Sequence, residues 1–105
     1  MLQHAIYTRY LAKPGRGKAL IEILLKANDI VADAEGCQLY IINQDTENDD
    51  HIWVTELWDT LEDHAISLTL DGAKEWVVEA SHMLSAPPEQ IILKAVAGKG
   101  VESYV

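Results

Sequence analysis

Residues 18–36 read KALIEILLKANDIVADAEG, and the apolar spacing in this stretch decides the fold. Leu20, Ile23, Leu24, Ala27, Ile30, Val31 and Ala34 recur every three or four positions. That period places them on one stripe of an α-helix. Gly36 follows as the expected C-terminal stop, where positive φ is favourable. A helix with one long apolar stripe needs a second layer to cover it, and the flanking segments supply one.

Residues 3–12 carry Ile6, Tyr7, Thr8 and Tyr10, types that favour a strand. Pro14, Gly15 and Gly17 end that run. Beyond the helix, residues 37–44 read CQLYIINQ and residues 52–58 read IWVTELW, both strand-like. The acidic connection that includes Asn48, Asp49 and Asp50 suits a turn, so these two strands form an antiparallel hairpin. Asp59 or Thr60 then caps a short helix with Glu62 and Asp63 in its first turn. Asp71 and Gly72 break it. A further helix carries Ala73, Trp76, Val77, Ala80 and Leu84, and Pro87 and Pro88 stop it. Residues 89–97 read as the last strand, and residues 98–105 carry no assignment.

The order β-α-β-β-α-β predicts an α+β, ferredoxin-like domain spanning residues 1–105, with its core at 2–97. A sheet with one wet face should alternate apolar with polar. These strands do not: Ile41 and Ile42 are adjacent, as are Ile91, Ile92 and Leu93. Both faces are therefore expected to be buried, the second against another copy of the chain.

Charge narrows the partners. Lys and Arg total 8 against 17 Asp and Glu, for a net charge of −9. This balance argues against nucleic acid and against an anionic membrane surface. No basic segment followed by an apolar run opens the chain, and no stretch is long enough for a membrane span, so a cytoplasmic location is the expectation. The single cysteine, Cys37, permits no intramolecular disulfide and reads as a small apolar side chain. The four histidines, at 4, 51, 64 and 82, are scattered, so no metal site is expected. Gly15 and Gly17 lie too close together for a P-loop.

Four short pieces occur in the order of a known family. Lys13-Pro14-Gly15 follows the first strand. Glu35-Gly36-Cys37 with Tyr40 opens the second. Glu56-Leu57-Trp58 closes the third, and Met83-Leu84-Ser85-Ala86-Pro87 precedes the last. Together they resemble the antibiotic biosynthesis monooxygenase family across residues 1–97. The resemblance implies a dimeric α+β barrel. It also implies oxygenation of a small electron-rich aromatic, such as a quinol or an anthrone, by O₂ without metal or flavin. The substrate then supplies the electrons, and the protein supplies a dry pocket and a base. Close relatives also include haem-degrading proteins, so a module that binds a small aromatic or haem without turnover is the alternative.

The candidate residues follow from this reading. Trp58 is expected to line a pocket between sheet and helices. Glu56 shares its strand face and is a candidate base; its other reading is an ion pair with Arg9 or a capping contact. Tyr40 could orient a substrate oxygen or sit at a dimer interface. Tyr7 and Trp76 complete the substrate-binding set. Many relatives carry a His nine or ten residues after the Trp, where Ser67 and Leu68 stand here. His64 could substitute for it as a base or could be a solvent-facing helix residue. His82 could reach the pocket or complement the helix dipole. The Asn of some relatives is replaced by Val54, and that of the haem-degrading relatives by Tyr7.

Overall fold

The computed structural model describes residues 2–101. β1 (Gln3–Leu11) leads into α1 (Gly17–Val31), and β2 (Cys37–Gln44) and β3 (His51–Trp58) form the hairpin. Two helices, α2 (Leu61–Ser67) and α3 (Ala73–His82), precede β4 (Glu89–Ala95). The four strands make one sheet in the order β2-β3-β1-β4, with every pair antiparallel. This is the α+β, ferredoxin-like arrangement that the element order predicts.

The apolar stripe of α1 packs as its spacing requires. Leu20, Ile23, Leu24 and Ala27 lie against Ile52 and Val54 of β3 and against Ala73, Trp76 and Ala80 of α3. A second cluster joins Val31 to Ile6 and to the fully buried Trp58. The helix ends five residues before Gly36, because 3₁₀-type turns replace the α-helical bonds: Ala34 N–H donates to Val31 and Cys37 N–H to Ala34. Gly36 serves the next turn instead. Its φ is +81°, and a Cβ there would run into the Asp63 side chain.

Thr60, not Asp59, caps α2, accepting from Asp63 N–H at 2.9 Å. Asp59 accepts from Gln3 at 3.1 Å and from Gln38 at 3.2 Å. Ala12 leaves β1 to bridge Leu84, and the last strand stops at Ala95 rather than at 97.

The two sheet faces differ sharply. Ile6, Thr8 and Tyr10 of β1 point toward the helices together with Ile52, Val54, Glu56 and Trp58 of β3. The opposite face reads across the sheet in rows. Leu39, Leu57, Ala5 and Leu93 form one row, and Ile41, Thr55, Tyr7 and Ile91 the next. The third row is polar: Arg9 bonds Glu89 at 2.7 Å and lies over the Trp53 ring. Leu39, Ile41, Ile91 and Leu93 are all exposed in the single chain.

The hairpin turn also closes the start of α1. Asp50 accepts from Gly15 N–H at 3.0 Å and from Gly17 N–H at 2.9 Å. A Cβ at Gly17 would strike the Asp49 carbonyl, so only glycine permits this approach. The two amide donors hold the Asp50 carboxyl below the usual carboxylate range. Its contribution to stability is therefore present above the ordinary carboxylate pKa and is lost as pH falls through the lowered value. Asp50→Ala is expected to lower the unfolding midpoint at neutral pH, and the gap to wild type should narrow as pH falls through the lowered value. Thermal melts across that range check this; a pH-independent gap would mean that the carboxylate does not act through its charge.

Candidate functional site

Glu56 and Trp58 stand two positions apart on β3, so both side chains leave the helix-facing side of the sheet. Trp58 is fully buried, and its indole Nε1–H donates to Glu56 Oε1 at 3.0 Å. Glu56 is itself only 6 % exposed. The short helix α2 brings His64 over the pair, with its ring edge-on to Trp58 at 5.4 Å. His64 Nε2 lies 3.7 Å from Glu56 Oε1. That is too long for a hydrogen bond, and the contact is an ion pair only when the imidazole is protonated. Burial pushes the Glu56 carboxyl up and the His64 imidazole down, both toward their neutral forms. The Trp58 bond works the other way and favours the Glu56 carboxylate.

A cavity of about 120 Å³ lies between this pair and the helices. Thr8, Tyr10, Tyr40, Glu56, His64 and Trp76 line it, with Val31, Ser67, Leu68 and Gln90 completing the wall. Tyr40 is paired across the hairpin with Glu56, which brings its ring to the site. Burial, with the Glu56 charge adding to it, keeps the Tyr10 hydroxyl protonated far above the ordinary range, and Tyr40 behaves alike. Gln90 Nε2–H donates to Thr8 Oγ1 at 3.1 Å, tying β4 to β1 at the cavity edge. Ser67 Oγ–H donates to the His64 carbonyl at 2.6 Å and fixes the turn that carries the imidazole.

Several expectations change here. The Arg9 pairing expected for Glu56 does not form, because Arg9 is on the opposite face with Glu89. His64 is not a solvent-facing residue; its side chain is 16 % exposed. Trp58 sits behind Glu56 rather than on the cavity wall. Tyr7 faces away, into a broader hollow of about 470 Å³ on the open face, alongside Ala5, Leu57 and Leu93. His82 is exposed in the last turn of α3 and does not line the cavity. Cys37 is half-buried beside Trp58, and burial pushes its thiol up, away from the nucleophilic thiolate. Thr8 and Gln90 were not among the expected site residues, and Tyr10 takes the place on β1 that Tyr7 was expected to hold. Tyr10 shares the parity of Ile6, but only the strand register reveals that Ile6 is the neighbour of Glu56.

Of the two hollows, the larger has mostly apolar walls and its size reflects an uncovered sheet. The smaller collects the buried ionisable groups, and the chemistry is assigned there. Among the described residues, no group of three or more His, Cys, Asp and Glu side chains could hold a metal ion. No helix among them is long and apolar enough to cross a membrane.

Comparison with known proteins agrees with this architecture. A candidate antibiotic biosynthesis monooxygenase from Chloroflexus aurantiacus J-10-fl is 30 % identical, covers 94 % of this chain and 98 % of its own, and superposes with a TM-score of 0.83. A conserved protein from Methanosarcina mazei Go1 is 22 % identical over 89 % of this chain and 92 % of its own, with a TM-score of 0.82. A candidate antibiotic biosynthesis monooxygenase from Nitrosomonas europaea shares the fold with a TM-score of 0.84 at 14 % identity, over 89 % of each chain. No curated protein is significantly similar to the sequence. The family model for antibiotic biosynthesis monooxygenases matches residues 4–79, which include all of β1 but its first residue, the hairpin, the Glu56–Trp58 pair and His64. The chain belongs to the antibiotic biosynthesis monooxygenase family.

Proposed function

We propose that this protein is a monooxygenase for a small electron-rich phenol, with Glu56 as the base, and that it works as a homodimer. Glu56 carries the proposal. It is a carboxyl 6 % exposed on the wall of a small cavity, held at one oxygen by Trp58. A carboxylate whose pKa is raised by burial is a stronger base toward a phenolic hydroxyl than an exposed one. Removing that proton leaves a phenolate, which yields electrons to O₂ far more readily than the phenol does. For a diphenol, one atom of O₂ enters the ring and the other leaves as water, taking the two hydrogens that the diphenol loses. The product is the hydroxylated quinone, and the substrate supplies all four electrons. His64, which burial favours as the neutral imidazole, stands next to Glu56 to pass the proton on.

The dimer rests on the apolar rows of the open sheet face. The edge strands β2 and β4 present Leu39, Ile41, Ile91 and Leu93 outward on either side of Leu57 and Ala5, an apolar face of a kind that single chains rarely expose. A second copy offers the same rows and buries both. The wild-type protein is expected to run at twice the chain mass at micromolar concentration, and Ile91→Asp at one chain mass. Light scattering coupled to size exclusion decides it; a wild-type mass of one chain rejects the dimer.

Oxygen uptake with a panel of quinols and phenols, above the rate in buffer alone, tests the activity. Uptake should rise with pH along an ionisation above the ordinary carboxylate range. Glu56→Gln should cut it about 100-fold or more. The same variant should be more stable than wild type near neutral pH. The raised pKa means that the folded state keeps the Glu56 proton more tightly, so wild-type stability falls as pH rises from the ordinary carboxylate value to the raised one. The advantage of Gln should therefore vanish in acid. Lost activity in a variant no less stable identifies the base. Binding of these compounds without any oxygen uptake would instead make the protein a binding module.

A further inference from the structure

The cavity beside Glu56 is smaller than a substituted ring. An apolar void of about 150 Å³ holds one benzene, and this cavity encloses about 120 Å³. A phenol with any further ring substituent enters only if a wall moves.

One wall separates the cavity from a second hollow. That groove, of about 310 Å³, runs between the C-terminal end of α1 and the segment that begins with α2. Ile30, Ala34, Ile66 and Leu70 give it an apolar lining, and the carboxyl groups of Asp33, Glu35 and Asp63 share its wall. Ser67 lines both spaces. On the α1 side, Val31 lines the cavity and its neighbour Ile30 lines the groove. The partition is therefore one side chain deep. No hydrogen bond crosses it, because the Ser67 hydroxyl is spent on the His64 carbonyl within its own helix.

The segment that carries Ser67 is lightly held. Among the described residues, every hydrogen bond of residues 61–70 is made within residues 60–73. Leu61, Ile66, Leu68 and Leu70 are exposed, although Leu68 also lines the cavity. What seats the segment on the sheet is His64, edge-on to Trp58 and 3.7 Å from Glu56. Ser67 is the one buried residue of α2. A short helix with so little burial and no hydrogen bond to its neighbours opens at a lower free energy than the core.

We propose that residues 61–70 are a gate, and that its opening joins the cavity and the groove into one site for a phenol carrying an apolar chain. The hydroxyl lies at Glu56, and the chain lies along Ile30, Ile66 and Leu70. Joined, the two spaces reach the roughly 300–1,000 Å³ of a ligand pocket, which the cavity alone does not. The carboxylates on the groove wall disfavour a chain that ends in an anion. This deepens the phenol monooxygenase reading and rests on it for the role of Glu56.

The experiment is anaerobic, so that binding is read without turnover. The probes are phenol, para-propylphenol and para-hydroxyphenylpropanoate. By titration calorimetry, wild type should bind para-propylphenol at least about tenfold more tightly than phenol. The propanoate should bind no better than phenol. The double variant Ile66→Ser, Leu70→Ser, made at exposed positions, should reduce the gain from the chain to about twofold or less. A wild type that gains nothing from the chain overturns the extended site, as does a gain that survives the double variant. Propanoate binding as tight as that of para-propylphenol overturns the charge selection.

The gate is read separately. In wild type, the amides of residues 63–68 should exchange with deuterium faster than the interior amides of α1 and α3; equal protection overturns the gate. Thr60→Ala removes the cap of α2 and should speed that exchange about fivefold. Stopped-flow association of para-propylphenol should speed by the same factor, and faster exchange with unchanged association also overturns the gate. The two readings fail apart. A chain-dependent, gated site without oxygen uptake sinks the oxygenase and keeps the gate, whereas uptake with no gain from the chain does the reverse.

Discussion

A buried tryptophan bonded to a buried carboxylate is the constraint around which the rest of the site is arranged. Trp58 needs an acceptor for its indole N–H once it is fully buried, and Glu56 Oε1 provides it at 3.0 Å. The bond fixes one carboxyl oxygen and aims the rest of Glu56 at the cavity. It also offsets part of the desolvation that pushes the carboxyl up. Removing Trp58 would cost about 3–5 kcal/mol of packing, so its loss would report on the core before it reported on chemistry. Glu56→Gln retains the acceptor and isolates the charge.

The remaining parts of the site follow from that pair. Tyr40 is its neighbour across the hairpin, and His64 arrives because Thr60 starts α2 two residues after the strand ends. Each of these groups is pushed toward its uncharged form. A cavity whose ionisable groups are all pushed away from charge by burial, in a chain of net charge −9, keeps its own electrostatics apart from those of the surface. An uncharged phenol enters such a space at little desolvation cost, and a proton moved within it stays close to its partner.

The sheet divides the protein into two functions. Its helix side holds the core and the cavity. On its other side, two of the three rows across the sheet are largely apolar, and Arg9, Glu89 and Trp53 lie in the polar third row at one end. Adjacent apolar residues such as Ile41 and Ile42 reflect these two demands on the same strand. The same parity explains the two tyrosines of β1: Tyr10 belongs to the cavity and Tyr7 to the open face.

Much of this was legible in the sequence. The three-and-four spacing from Leu20 to Val31 made the helix, the polar turn around Asn48 made the hairpin, and the period of two put Glu56 and Trp58 on one face. These are local consequences of backbone geometry, and they needed no knowledge of partners. The site required more. That Arg9 does not reach Glu56, that His64 sits half-buried over it while His82 is exposed, and that Tyr10 rather than Tyr7 lines the cavity all depend on strand register and on how a short helix seats on the sheet. The indole N–H of Trp76, buried without an acceptor among the described residues, belongs to the same class. One chain position carries no record of which acceptors surround it in space, so only the packed structure decides whether its hydrogen bond is made.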